Sequence, residues 1–320
     1  MNLRQLEIFS AVMRFRTTVA AAQELSMSQP AVSNAIKHIE SQLGFRLFER
    51  AGNRLVPTEE GKILLDEAEP LFMHQQALNQ RANDLRAGRI GRIRIAATAE
   101  LSESILPGAM MRFLEEHPSV HLSLDTRPLA SVLDAAETGL ADVGFGMEAH
   151  NRHALNLVPI AQMRTVCVCQ SDSALAALPF VTPPDLVDQK LIAPQTSNGI
   201  GVLIAEAFAK AATPYAPTVE VRFLNVAARL VQEGWGSALL DELTVTSGRY
   251  SDLEVRPFQP TVRLELSAIL PKKRMPSRLS LSFITILRKE AQRRLDLLRA
   301  HSEAGECPLG ETLARRASTE

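Results

Sequence analysis

Apolar residues recur at helical spacing through about the first ninety positions, and the pattern then changes to short alternating and continuous runs. Leu3, Leu6, Phe9 and Val12 form a first stripe, and TTVAAAQELSMSQPAVS predicts a second short helix, a turn around Ser26 to Ser28, and a third helix. That third helix, Ser28 to Gly44, has Val32, Ala35, Ile36, Ile39 and Leu43 on one side. Gln29, Ser33, Lys37 and Ser41 fall on the other. Ser28 suits an N-cap, Pro30 sits in the first turn where a missing N–H costs nothing, and Gly44 suits the position past the helix end. The following FRLFERAGNRLVPT has two short apolar runs around Ala51, Gly52 and Asn53, a hairpin carrying Arg46, Arg50 and Arg54.

From Thr58 to Ala87 the chain reads as one long helix, with Thr58 as N-cap and Gly88 and Gly91 marking its end. Leu64, Ala68, Leu71, Gln75, Leu78, Ala82 and Leu85 alternate spacings of four and three, the seam of a coiled coil, which implies a second copy of the chain as partner. Pro70 lies inside this helix and predicts a kink or break near Asp66 to Pro70. Beyond Gly91 strands and helices alternate. RIRIAAT, VHLSLDTR, ADVGFGM, TVCVCQ, KLIAPQ, TVEVRF, SALL and RLELSAIL read as strands, with helices through Phe113, from Leu129, near Ile200 to Ala211, up to Gly234 and after the last strand. These units suffice for two small α/β subdomains, whose ligand site lies where loops leave the carboxyl ends of strands.

The exposed side of the third helix is chemically suggestive. Gln29 and Asn34 are capable of bidentate contacts to adenine, and Lys37 reaches guanine or phosphate. Alone, such a face is equally an ordinary solvated one; the preceding short helix and the arginine-bearing hairpin give the order of a winged helix-turn-helix. Composition then narrows the picture. At 320 residues the chain holds more than one domain, and its formal net charge of −1 lacks the basic excess usual in DNA binders. Recognition must therefore rest on locally placed cations and on doubled contacts. Neither a bilayer-length apolar run nor a signal-peptide core is present, so a cytoplasmic protein with no membrane partner is expected.

Cys167, Cys169 and Cys307 are odd in number and suggest no disulfide framework. In TVCVCQ the first two fall on one face of a strand, where residues two apart are poorly placed to bridge, so buried structural thiols are expected over a redox pair. Enzyme classes find little support. There is no G-x-S-x-G, no P-loop, and no metal spacing beyond the surface pair His150 and His153. The Gly199/Gly201 and Gly234/Gly236 pairs lack the third glycine of a dinucleotide fingerprint and read as tight turns. A solute-binding protein would fit the second half alone, but would need export.

Three stretches, LRQLEIF, TTVAAAQELSMSQPAVSNAIKHIESQLGFRLFER and NRLVPTEEG, resemble the LysR-type transcriptional regulators. NLRQLEIF and the GNRLVPT wing are most similar to the branch with opine-responsive and lysine-biosynthesis regulators. ILPGAMMRFLEEHPSV, TGLADVGFG and VQEGWGSALL extend the resemblance over the second half, which it identifies with the family's effector domain. The resemblance implies a multidomain protein: an all-α winged helix-turn-helix DNA-binding domain over residues 1–58, a linker and dimerisation helix over 59–90, and an α/β two-lobed, periplasmic-binding-protein-like effector domain over 91–292. The lobes are expected at about 91–162 plus 266–292 and at 163–265, followed by a polar tail, 293–320.

It further implies that Gln29, Pro30, Ser33, Asn34 and Lys37 enter the DNA groove, and that Thr18, Ser28, Arg50 and Arg54 contact its backbone. Leu64, Ala68, Leu71, Leu78 and Leu85 would form the dimer seam. No cofactor or metal is implied; the partners are double-stranded DNA, a small-molecule effector, further copies of the chain as homodimer or homotetramer, and RNA polymerase. Thr98, Glu100 and Ser102 follow the first strand of the second half, and Gln195, Thr196, Ser197 and Asn198 stand similarly in the second lobe. Hydroxyls and helix N-terminal amides there suit a carboxylate, although polar residues at helix starts are also plain caps. Thr126, Arg127 and Leu129 are placed near the effector by the resemblance. Glu100, or else Asp241, answers a cationic nitrogen, which suits an amino-acid-like or opine-like ligand and leaves simpler carboxylates open. Trp235, Ser237 and Asp241 depart from the family's usual residues and suggest an altered pocket.

Overall fold

The protein was analysed as a computed structural model, which describes residues 1–51, 54–86, 91–149, 152–196, 199–250 and 252–304; the side chains of 50, 51, 80, 81, 84, 85 and 301–304 fall outside that description. The chain divides into two compact units, Met1–Gln80 and Arg81–Glu320.

The first unit contains α1 (Leu3–Phe15), α2 (Thr18–Glu24), α3 (Gln29–Leu43), β1 (Phe48–Ala51), β2 (Arg54–Pro57) and the start of α4 (Glu59–Arg86). Each helix begins at a side chain suited to the orphan N–H groups there. Asn2 and Gln5 form a reciprocal capping box on α1, Thr17 caps α2, and the Ser28 hydroxyl accepts from Ala31 N–H at 3.3 Å. Gly44 ends α3 with φ +80°, a left-handed conformation glycine adopts without strain. The turn between α2 and α3 is closed by Met27 N–H donating to the Ala22 carbonyl at 2.9 Å, with Ser26 left-handed at φ 52°. Phe9, Val12, Ala21, Val32, Ile39 and Leu47 are wholly buried, and Ala22 nearly so. The hairpin pairs Phe48 with Pro57 through Ala51 with Arg54, and Leu55 N–H donates to the Arg16 carbonyl at 2.8 Å, tying the wing to the end of α1.

Thr58 caps α4 by accepting from Gly61 N–H at 3.0 Å. A break at Pro70 is not seen: α4 is helical on both sides of it. Proline deletes one donor from a ladder 28 residues long, and its exposed ring meets solvent instead of packed chain. The Gly88 end signal lies outside the described residues.

The second unit comprises β3 (Arg92–Ala97), α5 (Ala99–Glu103), α6 (Ile105–Glu116), β4 (His121–Thr126), α7 (Leu129–Thr138), β5 (Val143–Met147), β6 (Leu155–Gln170), β7 (Leu191–Pro194), α8 (Gly199–Lys210), β8 (Val219–Val221), α9 (Leu224–Gln232), β9 (Ser237–Asp241), α10 (Glu242–Val245), β10 (Leu253–Pro257), β11 (Arg263–Pro271) and α11 (Arg278–Ala304). The strand order is β4-β3-β5-β11-β6-β9-β7-β8, with β10 also on β6. Parallel β3, β4 and β5 form one lobe, and parallel β7, β8 and β9 the other. The 16-residue β6 joins them: it pairs with β11 up to Arg164 and with β9 from Thr165. Phe113, Phe145 and Phe283 pack edge to face and tilted at 5.3 and 5.7 Å in the first lobe's core.

Two expectations are corrected here. Residues 293–304 are not a tail: α11 continues to Ala304, burying Leu295 and Leu298 and pairing Arg299 with Glu242 at 2.8 Å. Many charged residues there hid the stripe. Gly199 and Gly201 are not in a turn but in the first turn of α8. A Cβ on Gly201 would lie 2.2 Å from the Gln195 carbonyl oxygen, so close helix approach excludes any side chain. Gly234 and Gly236, at φ +84° and +116°, are in a tight turn as expected.

Candidate functional site

The polar face of α3 and the wing form one concave surface in the first unit. Thr18, Ser33, Lys37, Arg46 and Leu55 line it together. Gln29, Pro30, Asn34 and Lys37 are exposed, as are Ser28 and Arg54; Ser33 is half-buried. The Gln29 amide is held in place, because its Nε2 donates to Thr18 Oγ1 at 3.0 Å. That bond leaves the amide oxygen and one N–H aimed elsewhere, which is the pair a base edge requires.

Electrostatics on this face explain how a near-neutral chain concentrates positive charge. Lys37, Arg46 and Arg54 form no ion pair among the described residues, whereas Arg4 and Arg14 elsewhere are paired with Glu7 and Glu24. Glu40 lines the same concavity, but its carboxylate is committed, accepting from the N–H groups of Leu47 at 2.8 Å and Phe48 at 3.2 Å. It anchors the wing to α3. Glu49 remains an exposed acid at the rim. The Arg50 side chain lies outside the described residues.

Along α4, Leu71 and Leu78 are 52% and 67% exposed, Ala82 is exposed, Ala68 is buried, and Leu64 is half-buried against the first unit's core. The leucines therefore present unpartnered apolar surface; the Leu85 side chain is outside the described residues.

Within the second unit, a cavity of about 290 Å³ opens between the two lobes. Its walls are loops at the carboxyl ends of β3, β4, β5, β7 and β8 and the starts of the helices that follow β3, β4, β7 and β8, as parallel sheets dictate. Of the residues expected from the sequence, Thr98, Glu100, Leu129 and Gln195 are brought together there. Ser102 turns back, its hydroxyl donating to the Thr98 carbonyl at 3.0 Å. Thr126 is exposed away from the cavity, and Arg127 pairs with Asp125 at 2.6 Å. Thr196 is exposed and outside the lining; Ser197 and Asn198 are outside the described residues. Trp235 and Ser237 do not line the cavity, and Trp235 instead stacks under Lys190.

Sequence reasoning missed Arg152, Arg222, Met147 and Phe223, all of which line the cleft. Arg222 directly follows β8, whereas the strand predicted as TVEVRF runs through Phe223, so the strand-end rule did not reach either residue. Its guanidinium has no partner among the described residues, whereas Arg152 pairs with Asp134 at 2.5 Å.

The polar groups in this cleft are unfinished. Glu100 is 7% exposed, and its Oε2 has no hydrogen-bond partner among the described residues. The other oxygen accepts from Leu224 N–H at a long 3.5 Å. Burial raises its carboxyl above the ordinary range, and the nearby Asp241 adds to that, against the opposing pull of the adjacent Thr98 hydroxyl. The Thr98 hydroxyl stands near Glu100 without bonding geometry to it or to any other group among the described residues. Asp241 is fully buried and caps α10 through Thr244, with no face on the cavity. Helices α7 and α9 begin here at Pro128 and Phe223, neither of which caps its helix with a side chain; the first N–H of α9, on Leu224, is the one that Glu100 accepts from. Their first N–H groups and dipoles favour an anion. An anion at the helix starts and a cation at Glu100 would complete both halves.

Cys167 and Cys169 are wholly buried on β6, and burial pushes the Cys167 thiol far up, away from the reactive thiolate. Cys307 and His150 lie outside the described residues, and among those residues no cluster of metal-ligating side chains occurs.

Residues 3–62 match the family model described as bacterial regulatory helix-turn-helix protein, lysR family, and residues 86–292 match the LysR substrate binding domain. The octopine catabolism/uptake operon regulatory protein OccR of Rhizobium meliloti is 31% identical over 258 residues, 81% of this chain and 85% of its own length. The transcriptional activator protein LysR of Escherichia coli is 28% identical over 282 residues, covering 88% and 91%. Among solved structures, CbnR, a LysR family transcriptional regulator, superposes with a TM-score of 0.68 at 21% identity, over 91% of this chain and 99% of that one. Full-length CbnR complexed with its target DNA superposes at 0.67 with 22% identity, over 91% and 100%.

Proposed function

We propose, from the premise that this chain belongs to the lysR family of bacterial regulatory helix-turn-helix proteins, that its effector is an amino-acid-like or opine-like molecule held between the lobes. The chain is a DNA-binding transcriptional regulator with an effector-binding domain, not an enzyme. The finer reading rests on one observation: the buried Glu100, one of whose oxygens has no hydrogen-bond partner among the described residues, lines the same cavity as the start of α7, which has no side-chain cap, and as Arg222, unpaired among the described residues. A ligand with a carboxylate and an ammonium or guanidinium satisfies all of these at once. Opines have that pairing of charges, and octopine appears in the description of one relative.

On the DNA side, Gln29, Pro30, Ser33, Asn34 and Lys37 enter the major groove, while Thr18, Ser28, Arg50 and Arg54 hold the phosphates. Two heads, joined through Leu64, Ala68, Leu71, Leu78 and Leu85 of paired α4 helices, read two half-sites. Effector binding between the lobes changes their closure and so the separation of the heads. This requires the effector to favour one assembly over another by differential affinity.

Calorimetry on the full chain with octopine, L-arginine, L-lysine and succinate tests the ligand class. A zwitterionic ligand should bind, stabilise the chain by about 2.7 kcal/mol at a hundredfold excess over Kd, and lose at least tenfold in affinity in Glu100→Gln. Equal binding of succinate and the zwitterions, unchanged by Glu100→Gln, would refute the assignment.

A further inference from the structure

Glu40 is an acid on a surface built to meet phosphate. It lines the concave face of the first unit together with Lys37 of α3 and Arg46 at the foot of the wing, neither of them ion-paired among the described residues. A carboxylate there works against DNA. One unit charge about 10 Å from a phosphate changes affinity about twofold at the dielectric of water, and by more where protein fills the gap.

What the carboxylate does for the fold is visible in its hydrogen bonds. Glu40 is half-buried, and its Oε1 accepts from Leu47 N–H at 2.8 Å and from Phe48 N–H at 3.2 Å. At these two residues the chain enters β1, where the ladder begins with the Phe48–Pro57 pair. Leu47 is wholly buried, so its N–H needs an acceptor within the protein, and an ionised one makes the stronger bond. Thr58 holds the same stretch from the other side: its N–H donates to the Leu47 carbonyl at 3.0 Å and its hydroxyl to the Arg46 carbonyl at 2.9 Å. The foot of the wing is therefore clamped between α3 and the start of α4, with Glu40 as the α3 side of the clamp. Glu49, another acid on this face, is exposed and makes no hydrogen bond or ion pair among the described residues.

We propose that Glu40 is a positioning residue for DNA binding. Its charge repels the phosphates, but its two hydrogen bonds hold the wing against α3, so that Arg46 and Arg54 reach the backbone of the duplex whose groove α3 enters; the second effect exceeds the first. The inference rests on the reading of α3 and the wing as the DNA-facing surface, and it assigns Glu40 an effect opposite in sign to that of Glu49.

Fluorescence anisotropy of the full chain on a scrambled-sequence duplex, across a salt series, tests this. Glu40→Gln keeps an oxygen for both N–H groups and loses the charge, so it should bind about twofold tighter than the parent at low salt. Glu40→Asp keeps the charge but draws it one methylene back from the wing, and Glu40→Ala removes charge and anchor together. Both should lose about one phosphate contact, which is about 0.9 in the slope of log K against log salt and about eightfold in affinity at about 0.1 M salt. Glu40→Ala regains part of that with the charge. Unfolded protein lowers apparent affinity alike at every salt concentration, so the slope is a readout that a purely structural role would leave in place. Glu40→Asp carries the comparison if Glu40→Ala does not fold. Glu49→Ala removes charge alone and should tighten binding as Glu40→Gln does. Glu49→Ala binding no tighter than the parent means that this face does not meet phosphate, and the proposal falls with that reading. With Glu49→Ala tighter, Glu40→Gln no tighter than the parent, or Glu40→Asp or folded Glu40→Ala with the parent's slope, overturns the proposal alone.

Discussion

Replacing Gln29 by Ala removes an amide that is exposed at the first turn of α3 and oriented by Thr18 at 3.0 Å. A bidentate contact to a base is worth about 1–3 kcal/mol of discrimination, so each head should lose about 5- to 160-fold in preference for operator over scrambled duplex. Thr18→Val leaves the amide in place but frees its torsions. Losing one net hydrogen bond, about 0.5–1.5 kcal/mol, lowers the same ratio about 2- to 13-fold. Because Thr18 would act on specificity through Gln29, the double variant should show little more loss of preference than Gln29→Ala alone. The assay is competition anisotropy with an operator recovered by selection from genomic DNA, at one fixed salt concentration, because phosphate contacts make every affinity salt-dependent. Any phosphate contact by Thr18 cancels in the operator-to-scrambled ratio. An equal loss on both duplexes from Gln29→Ala would contradict a base contact, and additive losses in the double variant would contradict the orienting role.

Two further outcomes follow from the structure. Glu290 is 1% exposed and accepts from Arg293 and Arg294, with Arg112 at 3.5 Å; Glu290→Ala strands these cations and should cost about 3–5 kcal/mol in urea unfolding. Burial alone would raise the Glu290 carboxyl, but the two arginine hydrogen bonds outweigh it and lower the pKa, so its contribution is complete above the usual carboxylate range and fades as pH falls through the depressed folded value. A parent and variant that converge only above neutral pH would reverse that sign. In α4, Leu71→Asp with Leu78→Asp should shift the chain to monomer in sedimentation velocity, each leucine being worth about 1.5–3 kcal/mol when buried by a partner; an unchanged sedimentation coefficient would rule out this seam.

Much of the first unit was legible because its determinants are local. Ser28, Pro30 and Gly44 mark α3 within a turn of its ends, and the wing follows from two apolar runs around a glycine. The second unit was legible as an α/β alternation but not in its joints. TVCVCQ predicts only the last part of β6, since Asn156 and Pro159 interrupt the pattern of Leu155–Arg164, and β10 was missed altogether because its five residues hold only two apolar positions, Leu253 and Val255, between the turn-favouring residues Ser251 and Asp252 and Pro257, and so read as loop. The helical stripe of α11 past residue 292 was masked by charged residues that meet partners far away in sequence, as Arg299 meets Glu242.

By itself, the sequence determined most of the order of elements, the polar face of α3, the apolar stripe of α4 and the family, because caps, periodicities and motifs act over a few residues and survive without knowledge of the fold. Only the tertiary structure decided which strand-end loops share a cleft. Thr98, Arg152, Gln195 and Arg222 come from four connections separated by up to 124 positions, and they meet because parallel strands of both lobes point their carboxyl ends at one gap. The same step left Glu100 and Thr165 buried without full hydrogen-bond partners, since whether a polar atom finds a partner depends on everything packed around it and on nothing beside it in the chain.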